Sequence, residues 1–160
     1  MHAPLPPGGC FDGTRHLFAV RVYFEDTDLS GVVYHANYLR WFERARSDML
    51  RSAGIDQRGA HDAGNGAYAV TDMTLRYIAP ARLDDAVLLV SRVIAVTPAT
   101  CRLAQEAWRD DQLLCTATLR VAFVAPTGRP RRQPPAWVDA FRALIDADLS
   151  PIPSDQGPNT

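Results

Sequence analysis

Several things are scarce in this sequence, and each shortage narrows the options. Three cysteines, Cys10, Cys101 and Cys115, are spread over 160 residues. Their number is odd and their spacings wide, so neither a disulfide framework nor a zinc-knuckle pattern is present. A reducing compartment fits such cysteine usage. Net charge is scarce too, −1 with His neutral. Nucleic-acid binders normally carry a strong basic excess, which excludes that class. No apolar run approaches the length of a membrane span. The first residues, MHAPLPPGG, lack the charged start and apolar stretch of a secretory signal. The expectation is a soluble, cytoplasmic protein.

What is present is enough for one folded domain. Apolar residues make up 47%, sufficient for a core without disulfides. The Pro- and Gly-rich residues 1–15 read as a flexible leader and 148–160 as a frayed tail, leaving 16–147 as the single domain. No repeat interrupts it.

The hydrophobic periodicity orders the elements. Val20, Val22 and Phe24 alternate with Arg21, Tyr23 and Glu25, which predicts a strand over Phe18–Glu25. A polar turn follows, Asp26-Thr27-Asp28-Leu29-Ser30-Gly31. A helix is predicted from about His35 to Ser52, because Tyr38, Phe42, Ala45 and Met49 form one stripe that Leu39, Trp41 and Leu50 widen. Arg44 with Asp48, and Glu43 with Arg46, are spaced to lace its exposed side. Gly54 is a reasonable stop. Beyond a loop over 55–66, strands are predicted at about 67–79, 86–97, 100–109 and 112–125. Thr97-Pro98-Ala99 and Arg109-Asp110-Asp111-Gln112 serve as turns. A short helix near 135–147 closes the core. Consecutive hairpins need an antiparallel sheet, and one long apolar helix needs covering. The fold class expected is α+β, with a curved five-stranded antiparallel sheet wrapped around one long helix.

Chemistry concentrates between Val20 and Arg51. Asp26 and Asp28 end a strand, Gly31 allows close backbone approach, and the helix start near Tyr34-His35 offers unpaired N–H groups and a positive dipole end. A carboxylate there can attack a thioester carbonyl or activate a water, while helix amides hold the oxyanion. The competing reading is ordinary turn and capping chemistry. Spacing alone does not choose between Asp26 and Asp28.

The stretch resembles the YbgC-type branch of the 4-hydroxybenzoyl-CoA thioesterase family. The likeness is carried by Glu25-Asp26-Thr27-Asp28, Gly31-Val32-Val33-Tyr34-His35, Asn37-Tyr38 and Phe42-Glu43-Arg44-Ala45-Arg46. The later blocks Tyr77–Asp85 and Pro126–Pro130 look like the same family, so the resemblance spans about 18–145. It implies the hot-dog fold and hydrolysis of acyl-CoA thioesters without metal or bound cofactor. It places the catalytic carboxylate on Asp28, as nucleophile or general base, and a helping histidine at His35. Relatives often carry Tyr where this chain has Phe24.

Other assignments are expectations on the same footing. Backbone N–H groups of Gly31, Val33 and Tyr34 are candidates for the oxyanion site, with Asn37 and Tyr38 for the acyl pocket. Arg82, Arg129, Arg131 and Arg132 are candidates for the phosphates of coenzyme A. Asp26 is read as a structural acceptor, Glu43 as an ion-pair partner of Arg40 or Arg46, and Cys115 as a buried strand residue. The histidines do not converge in spacing on a metal site. Relatives dimerise through their sheets, often into tetramers, so a homodimer or homotetramer is expected. The alternatives are a non-catalytic protein that binds acyl-CoA or acyl carrier protein, and a structural partner of an envelope or lipid-synthesis complex.

Overall fold

A computed structural model describes residues 2–145, so the expected tail over 148–160 lies outside the described residues. Six strands form one antiparallel sheet. They are β1 (Cys10–Asp12), β2 (Arg15–Arg21), β3 (Ala67–Tyr77), β4 (Ala86–Val96), β5 (Thr100–Arg109) and β6 (Gln112–Val124). Their spatial order is β1-β2-β4-β5-β6-β3. Three helices accompany them: α1 (Asn37–Ser52), α2 (Gln57–Asp62) and α3 (Pro135–Ala143).

Helix α1 forms because its apolar positions recur at helical spacing and meet the concave face of the sheet. Tyr38, Trp41, Phe42 and Ala45 are buried against Phe18, Val87, Leu89, Leu114 and Ala117. One turn on, Met49 and Leu50 meet Val93, Leu103, Leu119, Val121 and Phe141 of α3. The two clusters make a continuous lining along one rod, which is the hot-dog arrangement.

The strand count exceeds the expected five by one, because Cys10–Asp12 pairs with Arg15–Leu17 inside the segment read as a leader. Gly9 is the physical reason the chain can lie there. A Cβ at Gly9 would stand 2.3 Å from the Leu17 carbonyl oxygen and 2.8 Å from Asp48 Oδ2. The Gly9 N–H donates to that carboxylate at 2.8 Å. The loop expected over 55–66 contains α2, capped by Asp56, whose Oδ1 accepts the Gly59 N–H at 2.9 Å.

Two predicted surface residues of α1 turn inward. Asp48 pairs with His16 (Nε2 to Oδ2, 3.0 Å) and Arg51, not with Arg44. Arg46 bonds Glu43, as expected, but its Nη1 also donates to Gln105 Oε1 at 2.8 Å beneath the helix. The Gln105 amide then donates to Ser91 Oγ and the Phe42 carbonyl, so this buried network is satisfied.

Strand β3 forms one outer edge of the sheet. It pairs with β6 from Ala67↔Val124 to Tyr77↔Cys115, with a bulge between Val70 and Asp72. Among the described residues its other side has no partner strand, which leaves a row of backbone groups without a ladder. The opposite edge, β1, is only three residues long.

Candidate active site

The strand predicted to reach Glu25 stops at Arg21. The chain then winds into a 3-10 turn over Phe24–Asp26. The Asp26 side chain causes the departure. Its Oδ2 accepts the Tyr23 N–H at 2.7 Å and its Oδ1 accepts Asn37 Nδ2 at 2.8 Å. Its carbonyl accepts the Tyr34 N–H at 2.9 Å. One buried carboxylate thus ties the turn to the first residue of α1. Tyr23 and Phe24, which a regular strand would send to opposite faces, are both exposed.

Residues Thr27–Val33 make a tight loop, closed by pairing of Thr27 with Val33. Gly31 sits at φ 77°, the left-handed conformation that favours glycine. Its N–H donates to the Asp28 carbonyl, and the Asp28 N–H to Val32 O, both at 3.0 Å. Pairing of Val32 with Arg82, and Val33 N–H to Ala81 O at 2.8 Å, stitches the loop to the segment before β4. Asp28 is therefore held by its own backbone at the tip of a braced loop.

The Asp28 side chain is exposed in the single chain. Its Oδ1 accepts the Ser30 hydroxyl and, at 2.8 Å, the Ser30 N–H. These donors, the hydroxyl first, hold its carboxyl below the usual carboxylate range, and the nearby His35 acts in the same sense. The group is an anion at neutral pH, as a nucleophile or base must be. His35 is also exposed, with its ring 4.5 Å from that of Tyr34 and 6.3 Å from that of Tyr77.

A cavity of about 300 Å³ opens beside His35. Val33, Tyr38, Tyr77, Ile78 and Pro80 line it with His35. Tyr38 is buried, and burial pushes its phenol up to about 12, so it presents a neutral wall.

The sequence and the fold that carry this braced loop have counterparts in known proteins. The profile described as Thioesterase superfamily matches residues 30–116. The chain belongs to the thioesterase superfamily. Over 131 residues it is 39% identical to the acyl-CoA thioester hydrolase YbgC of Escherichia coli O6:H1, covering 81% of this chain and 97% of that one. It is 41% identical over 107 residues to the acyl-CoA thioesterase YbgC of Haemophilus influenzae, covering 67% of this chain and 79% of the relative. The crystal structure of a probable thioesterase from Bartonella henselae superposes with a TM-score of 0.71 at 35% identity, covering 75% of this chain and 99% of that one.

Within this thioesterase, several expected site groups have other duties. The N–H groups of Gly31, Val33 and Tyr34 all donate within the chain, to Asp28, Ala81 and Asp26. They are not available to an oxyanion in this conformation. Among the described residues, the N–H groups of His35 and Ala36 have no backbone acceptor. Asn37 is buried and its amide is committed to Asp26, so it is a brace and not a pocket wall. Arg82 stands beside the Asp28 loop through its pairing with Val32. Arg129, Arg131 and Arg132 do not share that place. Pro130 pairs with Val124 and the Arg131 N–H bonds Phe123 O, at the Ala67 end of β3. Ten strand steps separate that end from Tyr77, about 30 Å. Arg131 also donates its Nη1 to the carbonyls of Gly64 and Asn65.

Sequence reasoning gave no role to Ser30 or Tyr77. A serine two residues after an aspartate is a turn signal that could have marked Ser30. The Tyr77 contact crosses 42 residues and leaves no local signal.

Proposed function

We propose that this thioesterase hydrolyses acyl-CoA to free acid and coenzyme A, with Asp28 as the catalytic carboxylate. In one route a carboxylate oxygen attacks the thioester carbonyl carbon, the C–S bond breaks, and water cleaves the resulting anhydride. In the other, Asp28 takes a proton from a water that attacks in its place. Both routes pass through an oxyanion, and the N–H groups of His35 and Ala36 are its donors. The thiolate leaves readily and takes its proton from solvent. His35 orients the carboxylate or the carbonyl. The observation that carries the reading is an ionised Asp28 beside a helix start where the His35 and Ala36 amides have no backbone acceptor. The names of the YbgC relatives support the substrate class.

The working form in this proposal is a homodimer, or a tetramer built from it, in the cytoplasm. Two copies pair along β3, and antiparallel pairing sets the Ala67 end of one copy against the Tyr77 end of the other. Arg131 and Arg132 then reach coenzyme A phosphates in the partner's site, and Arg82 in their own.

The test is thiol release from a panel of acyl-CoAs by the full chain, beside Asp28→Asn. Turnover by the native protein and none by the variant is expected. Tight acyl-CoA binding without thiol release would favour the non-catalytic reading, in which acyl-CoA or acyl carrier protein is only bound; Phe24, at a position where relatives often carry Tyr, motivates that reading.

A further inference from the structure

Tyr77 ends β3 and is firmly placed there. It pairs with Cys115, and the next two residues, Ile78 and Ala79, both donate their N–H to Leu114 O, at 2.9 and 3.2 Å. Its ring lies edge-on to those of Tyr38 and His35, with centroids 5.7 and 6.3 Å away. From that position its hydroxyl donates to the His35 carbonyl oxygen at 2.8 Å.

That carbonyl lies outside the hydrogen-bond ladder of α1. The Leu39 N–H, which in a regular helix would seek His35 O, bonds Ala36 O at 3.2 Å. The helix therefore does not set the plane of the His35–Ala36 peptide. The Ala36 N–H belongs to the same planar group and points opposite to the carbonyl. Donation to a carbonyl also polarises the N–H of its own amide, strengthening that N–H as a donor. Burial raises the Tyr77 phenol above its ordinary pKa, so the donor proton is retained at neutral pH.

We infer that Tyr77 is a positioning residue for thioester hydrolysis: its hydroxyl fixes and polarises the His35–Ala36 peptide so that the Ala36 N–H is set to receive the oxyanion. The inference rests on the proposed activity and adds a residue to it. Tyr77 does not touch the reacting atoms. It acts through the peptide it holds, from the edge strand across to the start of the helix.

Tyr77→Phe keeps the ring and removes only the donor. One oxyanion donor weakened by the loss of a cooperative bond predicts a fall in kcat of about two- to eightfold. KM stays within about twofold, because the carbonyl gains its negative charge only in the transition state. The acid limb of the pH profile, which belongs to Asp28, stays where it is. Melting temperature and oligomeric state are measured alongside and should not change. In amide NMR of the full chain, the Ala36 proton moves upfield in Tyr77→Phe, and this readout requires no turnover. A kcat loss below about twofold, a shifted acid limb, or an unmoved Ala36 resonance would each overturn the inference. If the native protein released no thiol, the proposed activity would fall, and the Ala36 resonance would still decide the role of Tyr77.

Discussion

Replacing Asp26 and Asp28 separately by alanine should split stability from chemistry within three residues. Asp26 is 9% exposed and holds the Tyr23 N–H and the Asn37 amide. Asp26→Ala leaves both donors without an acceptor, each at about 1–3 kcal/mol, and so costs about 2–6 kcal/mol together. For a chain of this size that lowers Tm by roughly 5–15 °C. Asp28 is exposed and bonds only within its own turn, so Asp28→Ala should leave Tm within about 2 °C. Its effect belongs on kcat, a loss of about two to four orders of magnitude. Differential scanning calorimetry and a thiol-release assay on the same preparations read both quantities. The reasoning fails if Asp28→Ala melts as early as Asp26→Ala, or if Asp26→Ala keeps the native Tm. It fails equally if Asp28→Ala retains activity.

Two further outcomes follow from the same network of contacts. Ser30→Ala removes the largest influence lowering the Asp28 pKa. The acid limb of kcat/KM should move to higher pH while the rate above it changes little; a limb that stays put would refute the role of Ser30. His16 is fully buried, its ring edge-on to Phe11, with Asp48 as bonding partner and the Arg51 guanidinium on the same carboxylate. Burial lowers its pKa from 6.5, outweighing Asp48, so the unfolded chain binds a proton that the folded chain refuses. Stability is then complete above about pH 6.5 and declines as pH falls below it. Asp48, whose pKa burial would raise but the Gly9 and Arg51 donors bring down, adds a second decline at lower pH. His16→Gln should flatten the upper part of a urea-midpoint profile between pH 6.5 and 5, and an unchanged slope there would count against this account.

How much of this was legible in the sequence depends on how local each cause is. The α1 stripe and the alternation along β6 are local, and both elements formed where the periodicity predicted. The end of β2 was not legible, because the Asp26 carboxylate bends the chain by reaching Asn37, eleven residues away. The Pro and Gly residues before Cys10–Asp12 predict a flexible leader. Here Gly9 serves close approach to Leu17 and Asp48 instead. Asp48 and Arg46 looked like surface charges because helical spacing cannot reveal that His16 and Gln105 wait beneath them. In the site, the closeness of Asp28, Gly31 and His35 is legible from their spacing, but the strand expected to lead into them ends at Arg21. Which amides are already spent is not legible, since Ala81 and Asp26 take theirs through tertiary contacts. The four arginines looked alike in sequence, yet a strand's length separates Arg82 from the other three.

The exposure of Asp28 bears directly on what the working site must be. An oxyanion is held well only where water is excluded, because bulk solvent screens the donors. The single chain does not provide such a place, and the two segments stitched together at the Asp28 loop, 24–34 and 77–83, expose apolar side chains that water does not favour. Phe24 is 82% exposed and Leu29 fully so, while Tyr34, Tyr77, Ile78 and Leu83 are about half exposed. Soluble monomers rarely leave so many large apolar groups together. Among the described residues the outer edge of β3 has no partner strand, and it ends at Tyr77, one of this same group. Pairing along that edge would satisfy the strand and cover the rim of the site in one step. The two deficits, an open edge and an open site, lie at the same place because the Tyr77 side chain joins the edge strand to the start of α1. The proposed pairing of two copies therefore serves the chemistry as well as the open edge.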